Sequence, residues 1–335
     1  MKVHNDFFRS RQTNQENGPQ DHWSKLARSN YPSTVYENRV HVWVLPLGLS
    51  KERYGGRQGS AACALITVQM AHDFMTQNIP MPPTSSQDSQ NLPQAVMDVL
   101  IDGIVDGNET HDKAMVARKN GFSGILSKKY LEEMPVVECG LTFHRLKKTQ
   151  NEGFSILEAI QVQRPELHEV DHRDYSGPFI KNLVAALRMV VTSLYLCEVD
   201  RLPIVLDAYE MAMCVIYDRP THSILLLDSH SHNDGRDGSV VCVASFEHIN
   251  EFISAVTKYV FGRTKDFNGE FHITCLMLTN LMNKVHQGKI FLPVEPTTMR
   301  TPSTRPLKPR MKTMKIVCVG HVASDEDREY ENSSK

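Results

Sequence analysis

The chain has 335 residues, is 41% hydrophobic and carries a formal net charge of −2. That length holds one large domain or two small ones, and the near-neutral charge excludes a bulk electrostatic attraction for nucleic acid or an anionic membrane. The longest apolar segment, Leu183 to Leu196, is interrupted by Arg188, Thr192 and Ser193 and is too short to span a bilayer.

Residues 1–37 are polar and uneven and include the run RSRQTNQENG. They bury little apolar surface, so a disordered N-terminal tail is expected there, and no signal-peptide core is present. Val40 to Leu47 alternates Val40, Val42 and Val44 against His41 and Trp43, a strand pattern. A glycine-containing loop leads into a helix whose apolar positions Ala62, Ile66, Met70 and Phe74 recur every fourth residue. Cys63 lies one step, about 100°, off that stripe, at the edge of the buried face rather than in it.

Pro80 to Pro93 reads as a surface loop. Gln94 to Ile104 reads as a helix broken by Asp106, Gly107 and Asn108. The stretch from Met134 to Leu146 contains a strand pattern, VVECGLTF, and Ser155 to Val162 reads as a short helix. Gln163 to Ser176 is charged and breaks periodicity. Phe179 to Leu196 reads as a largely buried helix. Met211 to Tyr217 and Ser223 to Asp228 form an antiparallel pair around the turn Asp218-Arg-Pro-Thr. The run Ile224 to Leu227 is apolar on both faces and suits a central strand. Ser239 to Ala244 is another strand, and Ser245 can cap a helix with Ile249, Phe252, Ile253, Val256 and Val260 at helical spacing. Phe271 to Thr279 is a further strand or buried segment. From Pro293 the composition turns basic and Pro-rich, then acidic, as in a flexible tail. The expected organisation is one α+β domain over residues 38–292, helix-rich early and sheet-rich late, between tails at 1–37 and 293–335.

Seven cysteines occur, an odd number with no CxxC pair, and most lie in apolar runs. That is the pattern of reduced thiols in a cytoplasmic or nuclear protein, not of a disulfide framework. Cys63 differs from the others in its setting. A helix N-terminus has unpaired N–H groups and a positive dipole end, and a thiol placed there ionises more easily. Gln58, five residues upstream, carries an amide N–H suited to a developing oxyanion. A base lies about 165 residues on, in LLLDSHSHND. Side chains two apart on a strand share a face, so Asp228 can hold one ring nitrogen of His230 while the other takes a proton from the thiol.

A Gln and a Gly-rich approach, a Cys on a helix, a long insert, a hairpin, and a strand ending in Asp-x-His resemble the papain-like cysteine proteases. The order is most similar to the deubiquitinating domain of herpesvirus large tegument proteins, over roughly residues 40–262. The resemblance implies a papain-like fold, with its helical first part packed on an antiparallel sheet, and a site made of Cys63, His230, Asp228 and Gln58. It implies ubiquitin or a ubiquitin-like modifier as substrate and requires no cofactor. In papain itself an aromatic follows the nucleophile, whereas here Ala64 and Leu65 do.

Three other readings of the same residues stand beside this one. Asp228, His230, His232 and Asp234 offer metal-ligand types on one strand face. His222 and Asp218 in the hairpin turn offer an alternative base. A catalytically inactive papain-like module, working as a protein-binding scaffold, would keep the fold without the chemistry.

Overall fold

The structure, a computed structural model, describes residues 19–84, 88–119, 153–193, 196–197, 199–263 and 265–281. All of them belong to one compact unit. The strand pattern over 134–146 and the basic-then-acidic stretch from 293 lie outside the described residues.

The elements in chain order are α1 (Pro19–Ala27), β1 (Thr34–Tyr36), β2 (Val40–Pro46), α2 (Cys63–Thr76), α3 (Gln94–Lys119), α4 (Ile156–Gln163), β3 (Leu167–Pro178), α5 (Phe179–Val191), β4 (Arg201–Ala208), β5 (Met211–Asp218), β6 (Ser223–Asp228), β7 (Asp237–Ser245), α6 (Ile249–Tyr259) and β8 (Asn268–Leu278). The fold is α+β. Among the described residues, eight strands form one antiparallel sheet in the order β1-β2-β7-β6-β5-β4-β8-β3.

Helices cover both faces of this sheet. On one face α2, α3 and α4 pack through Leu65, Val68, Val96, Leu100 and Ile160 onto Cys214, Leu225, Leu227 and Val241. On the other, α5 and α6 pack through Leu183, Leu187, Phe252 and Val256 onto Ile204, Val215, Leu226 and Cys242. The early helical layer on an antiparallel sheet matches the expectation, and α5 and α6 add a second layer behind it. The double covering explains why every residue of β6 is buried and why its apolar run does not alternate.

Several elements depart from the sequence reading. Two fall within the stretch expected as an N-terminal tail. The α1 residue Trp23 lies against Gly48, where an added Cβ would come within 2.5 Å of the indole, and β1 pairs with β2. Segments this short carry too few apolar residues to show a period of their own. β4 had no counterpart in the sequence reading, although it is a central strand between β5 and β8. β3, expected to be irregular, pairs with β8 from Leu167 to Pro178 with one irregularity between Glu169 and Asp171. Its charged residues fit an edge strand, where one side of the ladder meets solvent. Ser245 makes no side-chain capping bond. A short 3-10 turn, Phe246–His248, comes before α6.

The largest departure positions the site. α3 does not break at Asp106-Gly107-Asn108 but continues to Lys119. Gly107 lies against α2, where a Cβ would meet Ile66 Cγ1 at 2.5 Å and its backbone nitrogen at 2.8 Å. Gly103, one turn earlier, lies against Met70, 2.7 Å from the corresponding Cβ position. The glycines are there because the two helices touch, and the helix–helix contact outweighs their low helix propensity. Asn108 is buried and donates to Lys51 O at 3.2 Å.

Candidate active site

α2 begins at Cys63 itself, with Ala62 as the N-cap and no side-chain cap. The thiol is partly buried, and its Sγ lies 4.0 Å from Glu210 O. Glu210 and Tyr209 form the two-residue turn between β4 and β5, and both hold positive φ, 62° and 54°. That turn type favours Asn and Gly, so two other residues there store strain beside the thiol. One helical turn on, Thr67 donates to Ala212 O at 2.9 Å and ties α2 to β5.

β6 ends at Asp228, which is fully buried. His230 Nδ1 donates to Asp228 Oδ1 at 2.6 Å, and the His230 backbone N–H reaches the same oxygen at 3.3 Å. His232 Nε2 hydrogen-bonds the other carboxylate oxygen, and its Nδ1 faces Val260 O at 3.1 Å. Asp228 therefore gives one oxygen to each of two histidines. The far nitrogen of His230, Nε2, is buried with no formed hydrogen bond. The charges of Cys63 and His230 are coupled, each shifting the other toward its ionised form.

The loop before α2 and the turn after β6 are clasped together. The Lys51 N–H donates to Ser229 O at 2.7 Å, and the buried Lys51 ammonium donates to Ser60 O at 2.6 Å. Glu52 pairs with that ammonium at 3.0 Å and accepts the Ser231 N–H at 3.0 Å. Ser60 donates to Asn108 Oδ1 at 2.6 Å and accepts the Ala62 N–H at 3.1 Å. One lysine–glutamate pair thus fixes the approach to Cys63 against the Asp228–His232 turn. Sequence reasoning missed Lys51, Glu52 and Asn108.

These contacts set the charges. Burial pushes the Cys63 thiol up, but His230, acting as hydrogen-bond partner and positive charge, and Lys51 more than offset it, so the thiol lies below its ordinary value. Burial alone would depress His230; the Asp228 carboxylate outweighs it and pushes the ring up to about 9. Burial raises the Asp228 carboxyl, and the two histidines overcome this and hold it well below the usual carboxylate range. The buried thiols Cys214, Cys242 and Cys275 are all pushed up by desolvation instead. A lowered thiol beside a raised imidazole is the charge pattern of a thiolate–imidazolium pair.

Gln58 stands apart from this cluster. It is exposed, and its Oε1 accepts a 2.6 Å hydrogen bond from Arg53. The metal reading of the Asp228 segment does not assemble. Among the described residues Asp228, His230, His232 and Asp234 do not gather as a ligand cluster: His230 and His232 each turn one ring nitrogen to the Asp228 carboxylate, and Asp234 is exposed in a turn at φ 55°. His222 and Asp218 serve the hairpin turn. His222 bonds Tyr217 OH at 2.9 Å, while Asp218 pairs with Arg201 at 2.8 Å and accepts from Thr221 at 2.6 Å. They lie at the opposite end of β6 from Asp228, six residues and so about 20 Å away. Among the described residues no disulfide forms, and no helix is long and apolar enough to cross a membrane.

No family profile and no curated protein matches the sequence. Among solved structures, a remote match is to the ubiquitin-specific protease encoded by a tegument protein of murine cytomegalovirus, crystallised with a ubiquitin-based suicide substrate. That match has a TM-score of 0.38 and 12% identity, and covers 70% of this chain and 84% of the other.

Proposed function

We propose that the chain is a papain-like cysteine protease that removes ubiquitin or a ubiquitin-like modifier, with Cys63 as nucleophile, His230 as base and Asp228 as its orienting carboxylate. The observation that carries this reading is the His230 ring. One nitrogen is held by a buried carboxylate at 2.6 Å, the other is buried with no hydrogen bond, and the charge of the ring eases the ionisation of Cys63 at the start of α2. The substrate class rests on the order of parts in the sequence and its resemblance to herpesvirus tegument deubiquitinases.

In this mechanism the Cys63 thiolate attacks the scissile carbonyl carbon. The oxyanion is met by backbone N–H at the start of α2, and Gln58, which the sequence offered for this role, is held away from it by Arg53. The C–N bond breaks as imidazolium His230 gives its Nε2 proton to the leaving amine, leaving a thioester. Neutral His230 then takes a proton from water, the hydroxide adds to the thioester, and the C–S bond breaks to release the carboxylate and restore the thiolate.

The test is the full chain incubated with ubiquitin carrying a C-terminal electrophile. One adduct per chain, mapped to Cys63 and lost in Cys63→Ala, is expected. Labelling that persists in Cys63→Ala would overturn the nucleophile. Selective alkylation of Cys63 by a small electrophile, with no ubiquitin adduct, would keep the nucleophile and overturn the substrate class.

A further inference from the structure

A second cluster of chemistry-bearing side chains lies away from Cys63, on the β3–β8 strand pair. His172 pairs in register with Thr274, and Asp174 with His272. Directly opposed residues in an antiparallel pair project to one face, so all four side chains share it. His172 Nε2 lies 3.0 Å from Asp174 Oδ1, and His272 Nδ1 lies 2.6 Å from the same oxygen. The three donor atoms all fall within 4.8 Å of one another.

We propose that His172, Asp174 and His272 form a binding site for a divalent transition-metal ion of the zinc class. Two imidazoles and a carboxylate are a donor set that zinc accepts, at bond lengths of about 2.0–2.2 Å, which places tetrahedral ligand atoms about 3.3 Å apart. The two His–Asp174 contacts, at 3.0 and 2.6 Å, need to lengthen by less than about 1 Å to reach that spacing. Thr274 Oγ1 bonds His172 Nδ1 at 2.8 Å, the outer-shell contact that fixes which ring nitrogen faces a metal. Asp207 on β4 is the register partner of His272 and adds a second carboxylate on this face. The ligands sit on two long paired strands, so the backbone holds them at fixed separation, and the fourth position is left to water.

The site lies on the face of the sheet that carries α2. His272, Asp207 and Ala212 form one row across β8, β4 and β5. Two strand spacings, about 10 Å, therefore separate the cluster from the strand that lies beside Cys63.

Zinc is titrated by calorimetry into the chelator-treated full chain, the Cys63→Ala variant, and the His172→Ala, His272→Ala and Thr274→Val variants. Circular dichroism verifies that each is folded. One ion per chain is expected in the wild type and in Cys63→Ala. Affinity should fall at least about tenfold in either histidine variant and in Thr274→Val, and zinc should raise the thermal midpoint of the wild type but not of His272→Ala. Binding lost in Cys63→Ala would move the ion to the thiol and overturn the proposal. Stoichiometric binding retained when both histidines are replaced would overturn it, as would no binding at tenfold excess metal. None of these readouts uses protease activity, so the proposal stands or falls independently of the function proposed above.

Discussion

His232 holds the oxygen of Asp228 that His230 does not use. The carboxylate proposed to orient the base is itself anchored, and the anchor is tied to Val260 O just beyond α6. Replacing His232 with Ala leaves a buried carboxylate oxygen unpaired, a loss of about 1–3 kcal/mol in stability. The freed carboxylate also lets His230 drift, and misplacement on the ångström scale lowers turnover about 10- to 100-fold. Hydrolysis of a ubiquitin-derived fluorogenic substrate should show this in kcat more than in KM. Unchanged kcat would mean that Asp228 keeps its place unaided.

Lys51 lowers the Cys63 thiol through its charge, and it opposes protonation of His230 by the same means. In Lys51→Met both groups should titrate higher. The rate of Cys63 alkylation by iodoacetamide, followed against pH by mass spectrometry, should rise at a higher pH than in the wild type. A profile that stays in place would show the ammonium to act only through its hydrogen bond to Ser60 O.

The Asp228–His230 pair has a defined pH window for stability. Asp228 is depressed in the folded chain, so its contribution is present above the ordinary carboxylate value near 4 and is lost as pH falls. His230 is raised to about 9, so its contribution is full below the ordinary histidine value near 6.5 and disappears as pH rises through about 9. The difference in urea midpoint between wild type and His230→Gln should be greatest between about pH 4 and 6.5 and should shrink toward pH 9. A difference that widens above pH 9 contradicts this assignment.

Gly107→Ala places a methyl group within 2.9 Å of three Ile66 atoms, two of them backbone. Backbone cannot move aside as a flexible side chain can, so α2 and α3 must separate. We expect a loss of about 1–3 kcal/mol in chemical denaturation. Activity should fall as well, because Cys63 and Asn108 lie on the two helices forced apart. Glu210→Gly should do the opposite to stability. It relieves a positive φ at 62° and should add about 1 kcal/mol.

The sequence made the chemistry more legible than the architecture. Asp228, His230 and Cys63 were singled out because strand periodicity, helix-start context and residue type agreed at each of them, and the fold does set the Asp228 carboxylate on the His230 ring and Cys63 at the start of α2. Gln58 was placed by nearness along the chain, and in the fold its oxygen is turned to Arg53 on the exposed side of the loop. Lys51 and Glu52 were invisible because they act through the Ser229 and Ser231 backbone, far away in sequence. Gly107 misled because a glycine that admits a neighbouring helix looks the same in sequence as one that ends its own. β3 was missed for a related reason. Its polar residues break the apolar alternation that announces a strand, while its backbone pairs with β8 along nearly its whole length.

The clasp between residues 51–60 and 229–231 has a consequence for the protein during its own synthesis. Cys63 leaves the ribosome about 165 residues before its base. At roughly 5–20 residues per second, that is an interval on the order of 10–30 s. Through that time Lys51 has no Ser229 carbonyl and Glu52 no Ser231 amide to bind, and no imidazole stands by the thiol. β6 must also wait for β7 before it is flanked on both sides. In the proposed mechanism the thiol therefore gains its base only when the last third of the polypeptide closes over it.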